Sequence, residues 1–166
     1  MMRRIDARDR LIVALDVPSA AEADALVARM GDQVRFVKVG LELYTVAGPD
    51  IVRKLVDRGK RVFLDLKFLD IEETVRRATA RVAAMGATFL TVHANRKALI
   101  AAVQGRGSSD LKLLAVTVLT NFDGEDLREM GIQRSVQDLV TARAMLAAEV
   151  GCDGVVASGE EPQAIR

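Results

Sequence analysis

Apolar residues in this chain fall in short runs, each followed by a longer stretch with helical spacing. The first run, Leu11-Ile12-Val13-Ala14-Leu15, ends at Asp16 and predicts a strand buried on both faces. Ser19 then predicts the N-cap of a helix over residues 20–30, and Gly31 its stop. A second strand is expected over 34–40, with Lys38 near its end. Gly48-Pro49-Asp50 opens the next helix, whose buried stripe is Ile51, Val52, Leu55 and Val56. Val62-Phe63-Leu64 begins a third strand that runs into the charged stretch Asp65-Leu66-Lys67-Phe68-Leu69-Asp70. Ile71, Thr74, Val75, Ala78, Val82 and Met85 space out the helix after it. The fourth strand is expected over 88–93 and its helix over 96–103. Gly105, Gly107, Ser108 and Ser109 read as a turn into a fifth strand over 111–119. Residues 120–131 break the rhythm as a long loop of the kind that forms lids. A helix over 135–150, a strand over 153–157 and the start of a helix over 160–166 follow.

Six strand-helix units predict an α/β fold, either a (β/α)8 TIM barrel or an open doubly wound sheet. No G-x-G-x-x-G follows the first strand, which weighs against a dinucleotide-binding sheet. Acids and lysines recur at strand ends, at Asp16, Lys38, Asp65 and Lys67, as in a barrel mouth. The expectation is one barrel domain over 1–166, lacking the last two βα units.

Composition narrows the function classes. The 166 residues carry 24 basic and 23 acidic side chains, so charge gives no pull towards nucleic acid or a membrane surface. Aromatic residues make up 4% and Trp is absent, too few for a base-stacking platform. No apolar run is long enough to span a bilayer, and the charged first ten residues do not read as a signal peptide. The single Cys152 fits a reducing compartment and reads as filler rather than nucleophile. A cytoplasmic protein is expected.

The chemistry gathers on the third strand. Asp65 and Lys67 are two residues apart, which in a regular strand puts them on one face, about 6.6 Å apart along the backbone. Asp70 follows where the helix should begin, as an N-cap or as a second acid. A structural ion pair would explain the spacing alone; charge at the carboxyl end of a parallel strand also marks active sites. His93, the only histidine, has no second His or Cys to join it as a metal set and reads as structural.

Several segments together resemble the orotidine 5′-phosphate decarboxylase family: Leu11 to Asp16, Phe36-Val37-Lys38-Val39-Gly40-Leu41-Glu42, Phe63-Leu64-Asp65-Leu66-Lys67-Phe68, Asp70-Ile71 with Thr74, Val92-His93-Ala94, and residues 113–120. The resemblance implies cofactor-free decarboxylation of orotidine 5′-monophosphate to UMP, in pyrimidine synthesis. It implies that Lys67 donates the proton, that Asp65 lies beside the departing carboxylate, and that Lys38, Asp65, Lys67 and Asp70 form a charged network. Asp16 would contact the ribose or base, and Thr120 the pyrimidine. Ile71 would also line the substrate. Asp70 and Thr74 would reach a neighbouring subunit's site, making the active unit a homodimer. Two positions depart from the family pattern, Leu69 in place of His and Glu72 in place of Pro.

D-x-K-x-x-D is shared with magnesium-dependent phosphosugar enzymes such as 3-hexulose-6-phosphate synthase or 3-keto-gulonate-6-phosphate decarboxylase. Those place a Glu where this chain has Lys38, and an ammonium does not ligate magnesium. A non-catalytic barrel remnant is the other alternative. The resemblance places the family's phosphate-holding loops and an Arg after strands seven and eight, beyond Arg166. A polypeptide ending at Arg166 is therefore expected to turn over orotidine monophosphate scarcely at all. An assay on a chain whose intact mass confirms that end checks this; full turnover would contradict it.

Overall fold

The computed structural model describes residues 6–159, 161 and 165. Six strands and eight α-helices are present among them: α1 (Ala7–Arg10), β1 (Ile12–Ala14), α2 (Ala20–Met30), β2 (Phe36–Val39), α3 (Leu41–Ala47), α4 (Asp50–Asp57), β3 (Arg61–Phe68), α5 (Glu72–Ala84), β4 (Phe89–His93), α6 (Arg96–Arg106), β5 (Lys112–Val116), α7 (Gly124–Glu129), α8 (Val136–Val150) and β6 (Gly154–Val156). The strand order is β1-β2-β3-β4-β5-β6. A doubly wound sheet needs a point where that order reverses. None occurs, so the open-sheet alternative falls away and the α/β class stands. The expected helix over 160–166 lies largely outside the described residues.

The chain forms two compact units, and the division falls inside β3 and β4. The first takes the described residues up to Leu66 together with Arg81–Leu90. Here β1 pairs with β2 and β2 with β3, both parallel, and Lys38 lies opposite Ala14 on one side and Phe63 on the other. Val37, Val39, Val62 and Leu64, which share one face of β2 and β3, are fully buried. Ala23 and Val27 of α2 and Ile51, Val52 and Leu55 of α4 supply helical cover. Val27, Ile51, Val52 and Leu55 each contribute roughly 1.5–3 kcal/mol by leaving water. Ser19 caps α2 by accepting the Glu22 N–H at 3.2 Å.

Helix α3 is a correction. Residues 41–47 hold no expected element, yet they form a helix directly after Gly40. Leu41 and Val46 lie on it exposed, so its apolar positions do not follow one stripe. Strands one, two, five and six are also shorter than expected, by two to four residues, and strand four by one; buried apolar residues such as Leu15, Val34 and Val118 lie just outside the paired segments.

The second unit takes Lys67–Ala80 and the described residues from Thr91 onward. In it β5 pairs parallel with β6, Leu114 opposite Gly154. Asn95 caps α6, accepting from the N–H groups of Lys97 and Ala98. Asp123 and Asp126 form a reciprocal capping box on α7, giving the long 120–131 loop a helical turn. Val118, Leu127, Leu139 and Val140 form a buried cluster with Phe122, Ile132 and Val136 against it.

Gly105 is a second correction. It lies inside α6, not in a turn, because α5 runs close by. A Cβ there would stand 2.2 Å from the Arg76 carbonyl oxygen and 3.0 Å from the Thr79 Cβ. Gly105→Ala is expected to destabilise by about 1–3 kcal/mol from overpacking, outweighing a helix-propensity gain of about 1 kcal/mol. Urea unfolding measures the sum. Beside it, Thr79 is fully buried and its hydroxyl has no hydrogen-bond partner among the described residues. Thr79→Val keeps the shape and removes the orphaned group, so it should raise stability by about 1 kcal/mol in the same assay.

Candidate active site

Strand β3 changes character along its length. Val62 and Leu64 are fully buried, while Asp65, Leu66, Lys67 and Phe68 are all partly exposed. The strand's apolar half anchors it, and its charged half emerges at the carboxyl end.

In the first unit that charge is met by β2 and the loop after β1. Lys38 Nζ donates to Asp16 Oδ1 at 3.1 Å and lies 3.9 Å from Asp65 Oδ2. The Lys38 and Asp65 side chains are only 23% and 16% exposed, whereas Asp16 is 59% exposed. Three of the expected site residues, Asp16, Lys38 and Asp65, are thus brought together. Gly40 makes room for them: a Cβ at that position would sit 3.2 Å from Asp16 Oδ1 and 3.5 Å from Lys38 Nζ. No role for Gly40 was visible in the sequence; its only signal there is its place directly after the lysine strand.

In the second unit, Lys67 is the one non-glycine residue among those described with a positive φ, +50°. L-residues resist that region, at a cost of roughly 1–2 kcal/mol. The Lys67 N–H donates to Thr91 Oγ1 at 2.9 Å. Such a bond contributes about 0.5–1.5 kcal/mol, the same order as the strain it opposes. Strain of this kind concentrates at functional residues.

Asp70, Ile71 and Thr74 follow on the loop and first turn of α5, and all three are exposed. Asp70 Oδ1 accepts the N–H of Ile71 at 2.6 Å, satisfying the backbone at the helix entry without capping deeper into α5. Leu69 and Ile71 flank it, 57% and 72% exposed. Glu72 is paired with Lys97 at 3.0 Å, and hydrogen bonding to that lysine holds its carboxyl below the ordinary range. Thr120 is exposed and lines a cleft of about 380 Å³ with Leu119, Phe122, Val136, Ser158 and Glu161. Lys67 is not among the residues lining it.

His93 ends β4. Burial lowers its pKa from the ordinary 6.5, and the positive charges of Arg143 and then Lys67 lower it further. Arg143 comes from α8, half-buried, and its guanidinium donates to the Thr117 carbonyl at the root of the Thr120 loop. Its pKa is itself lowered by burial. Neither Thr91 nor Arg143 stood out in the sequence, since one reads as strand filler and the other as a helix surface charge. Burial foremost raises the Cys152 pKa to about 11, against a lowering by the Arg106 charge. No group of three or more His, Cys, Asp or Glu able to hold a metal occurs among the described residues. No described helix is long and apolar enough to cross a membrane.

Parallel βα units define the class, an α/β fold. A sequence model described as the orotidine 5′-phosphate decarboxylase / HUMPS family matches residues 9–166, and the chain belongs to that family. It is 55% identical over 160 residues to the orotidine 5′-phosphate decarboxylase of Nitrobacter winogradskyi, covering 96% of this chain and 67% of that one. It is 49% identical over 166 residues to the enzyme of the same name from Rhodopseudomonas palustris strain BisA53, covering 100% of this chain and 71% of that one. The crystal structure of orotidine 5′-phosphate decarboxylase from Lactobacillus acidophilus superimposes with a TM-score of 0.87 at 37% identity, over 93% of this chain and 74% of that one.

Because His93 is the only histidine in the sequence, its imidazole resonances need no assignment. An NMR titration should find His93 protonating below 6.5, and Arg143→Gln should move that midpoint upward. The stability sign follows. A histidine whose folded pKa is lowered leaves the unfolded state binding more protons, so its contribution is full above pH about 6.5 and fades as pH falls. Melting temperatures taken down through that window should drop less in His93→Gln than in the parent.

Proposed function

We propose that the protein decarboxylates orotidine 5′-monophosphate to UMP, without a cofactor, in de novo pyrimidine synthesis. The observation that carries this is family membership together with an unbroken Asp65, Lys67, Asp70 set on and after β3. Breaking the bond from pyrimidine C6 to its carboxylate releases carbon dioxide and leaves the electron pair on C6. A fixed Lys67 ammonium favours that carbanion over the substrate, and only such differential binding speeds the step. The Lys67 proton then passes to C6, and the amine regains a proton from water. A unit charge about 4 Å from the developing carbanion is worth about 4 kcal/mol at an effective dielectric of 20, or roughly 1000-fold in rate.

Other roles complete the reading. Asp65 lies beside the departing carboxylate and Lys38 holds it there; the 3.1 and 3.9 Å contacts of Lys38 to Asp16 and Asp65 support such a network. Asp16 contacts the ribose or base, Ile71 lines the substrate, and Thr120 hydrogen-bonds the pyrimidine. The active unit is a cytoplasmic homodimer in which Asp70 and Thr74 serve the neighbouring subunit. The exposed Leu69 and Ile71 beside Asp70 are the apolar surface that such a partner would cover. The scaffold is a single (β/α)8 barrel. Against the magnesium-dependent relatives stands the Lys38 ammonium, which occupies a cation's place next to Asp16 and Asp65.

In the natural-length protein, Lys67→Ala should lower kcat by about 1000-fold or more while the fold persists, read by release of carbon dioxide from orotidine monophosphate. EDTA should leave the parent's rate unchanged. A variant within tenfold of the parent, or loss of activity on chelation, would overturn the reading.

A further inference from the structure

We propose that Thr91 is a positioning residue for Lys67: its buried hydroxyl takes the lysine's N–H and holds that backbone in its left-handed turn. The inference rests on the reading of Lys67 as proton donor. Thr91 is 1% exposed, in the middle of β4, between Leu90 and Val92, both fully buried. Leu90 and Val92 point to the opposite face of β4 from Thr91. Valine has nearly the same shape as threonine, so a valine here removes the hydroxyl and little else. That oxygen is 2.9 Å from the N–H of the one described non-glycine residue with positive φ.

The consequence is directional. In a regular strand, successive side chains alternate between faces, and parity alone would fix where Lys67 leaves the backbone. A left-handed φ rotates the Cα–Cβ bond away from that position. The hydrogen bond to Thr91 fixes the peptide on the amino side of Lys67, which is the peptide that φ turns. Without it, the backbone can relax to the ordinary β region, and the ammonium is carried off its line to the reacting carbon. Substrate binding does not pass through this bond, so the loss should fall on the chemical step.

The test compares Thr91→Val and Thr91→Ser with the parent in the natural-length protein. Three measurements are made: kcat and KM for orotidine monophosphate, hydrogen exchange of the Lys67 amide, and the three-bond coupling that reports Lys67 φ. Thr91→Val should lower kcat about 10- to 100-fold, as a misplacement near 1 Å does, with KM within about threefold. Its Lys67 amide should exchange faster and its coupling should leave the left-handed value. Thr91→Ser, which keeps the oxygen, should restore all three. If Thr91→Val does not fold, Thr91→Cys takes its place, since it differs from Thr91→Ser by sulfur for oxygen. A valine or cysteine variant with parental kcat, or with unchanged Lys67 φ and exchange, overturns the proposal. So does a serine variant as impaired as valine. If the parent makes no UMP, the decarboxylase reading fails, and the exchange and coupling results still decide whether Thr91 holds Lys67.

Discussion

A strand buried at one end and charged at the other has to settle two demands at once. β3 meets the first with Val62 and Leu64, which are fully buried and register against Val37 and Val39 of β2. It meets the second by pairing. Asp65 is mostly shielded from water, and an acid so placed is tolerated only beside a counter-charge. Lys38 supplies it from the adjacent strand, and is itself stabilised by Asp16. The glycine at 40 follows from this arrangement, because a side chain there would press on both partners. The apolar half of the strand thus pins the coordinates at which the charges stand.

Lys67 shows the same logic in the backbone. A lysine with φ of +50° is an unfavourable local choice, retained where its surroundings over-determine it. The threonine oxygen on β4 is one such restraint. Further along the same edge, Arg143 is fastened to the Thr117 carbonyl, and its charge adds to burial in lowering the His93 pKa. The carboxyl ends of β4 and β5 are therefore ordered by polar contacts from buried or half-buried groups.

Much of this was legible in the chain's pattern, for physical reasons that differ by element. Helix α2 was found to the residue, because Ser19 and Gly31 mark both ends chemically. The strands were found because short apolar runs mark them, although β1, expected to be buried on both faces, and β6 hold no buried residue; their ends were overrun because apolar loop residues such as Leu15 and Val118 continue the pattern while buried. Helix α3 was missed since Leu41 and Val46 break its period. Gly105 was misread because a glycine needed for close helix approach looks the same in sequence as one needed for a turn. Asp16, Lys38 and Asp65, which lie together, stood out in the sequence because charge is rare at the end of an apolar run, but same-face alternation does not fix where Lys67 points. It presumes a regular strand, and the left-handed φ at Lys67 breaks that regularity. Thr91 was invisible for the same reason, as its role exists only once that φ is known.

The central claim is that the pyrimidine ring comes to the Lys67 ammonium at the end of β3. A crystal structure of the natural-length protein with UMP bound tests it most directly. The account predicts C6 of the ring within about 3–3.5 Å of Lys67 Nζ, the separation proton transfer requires. UMP seated elsewhere, with C6 beyond reach of that nitrogen, would contradict it.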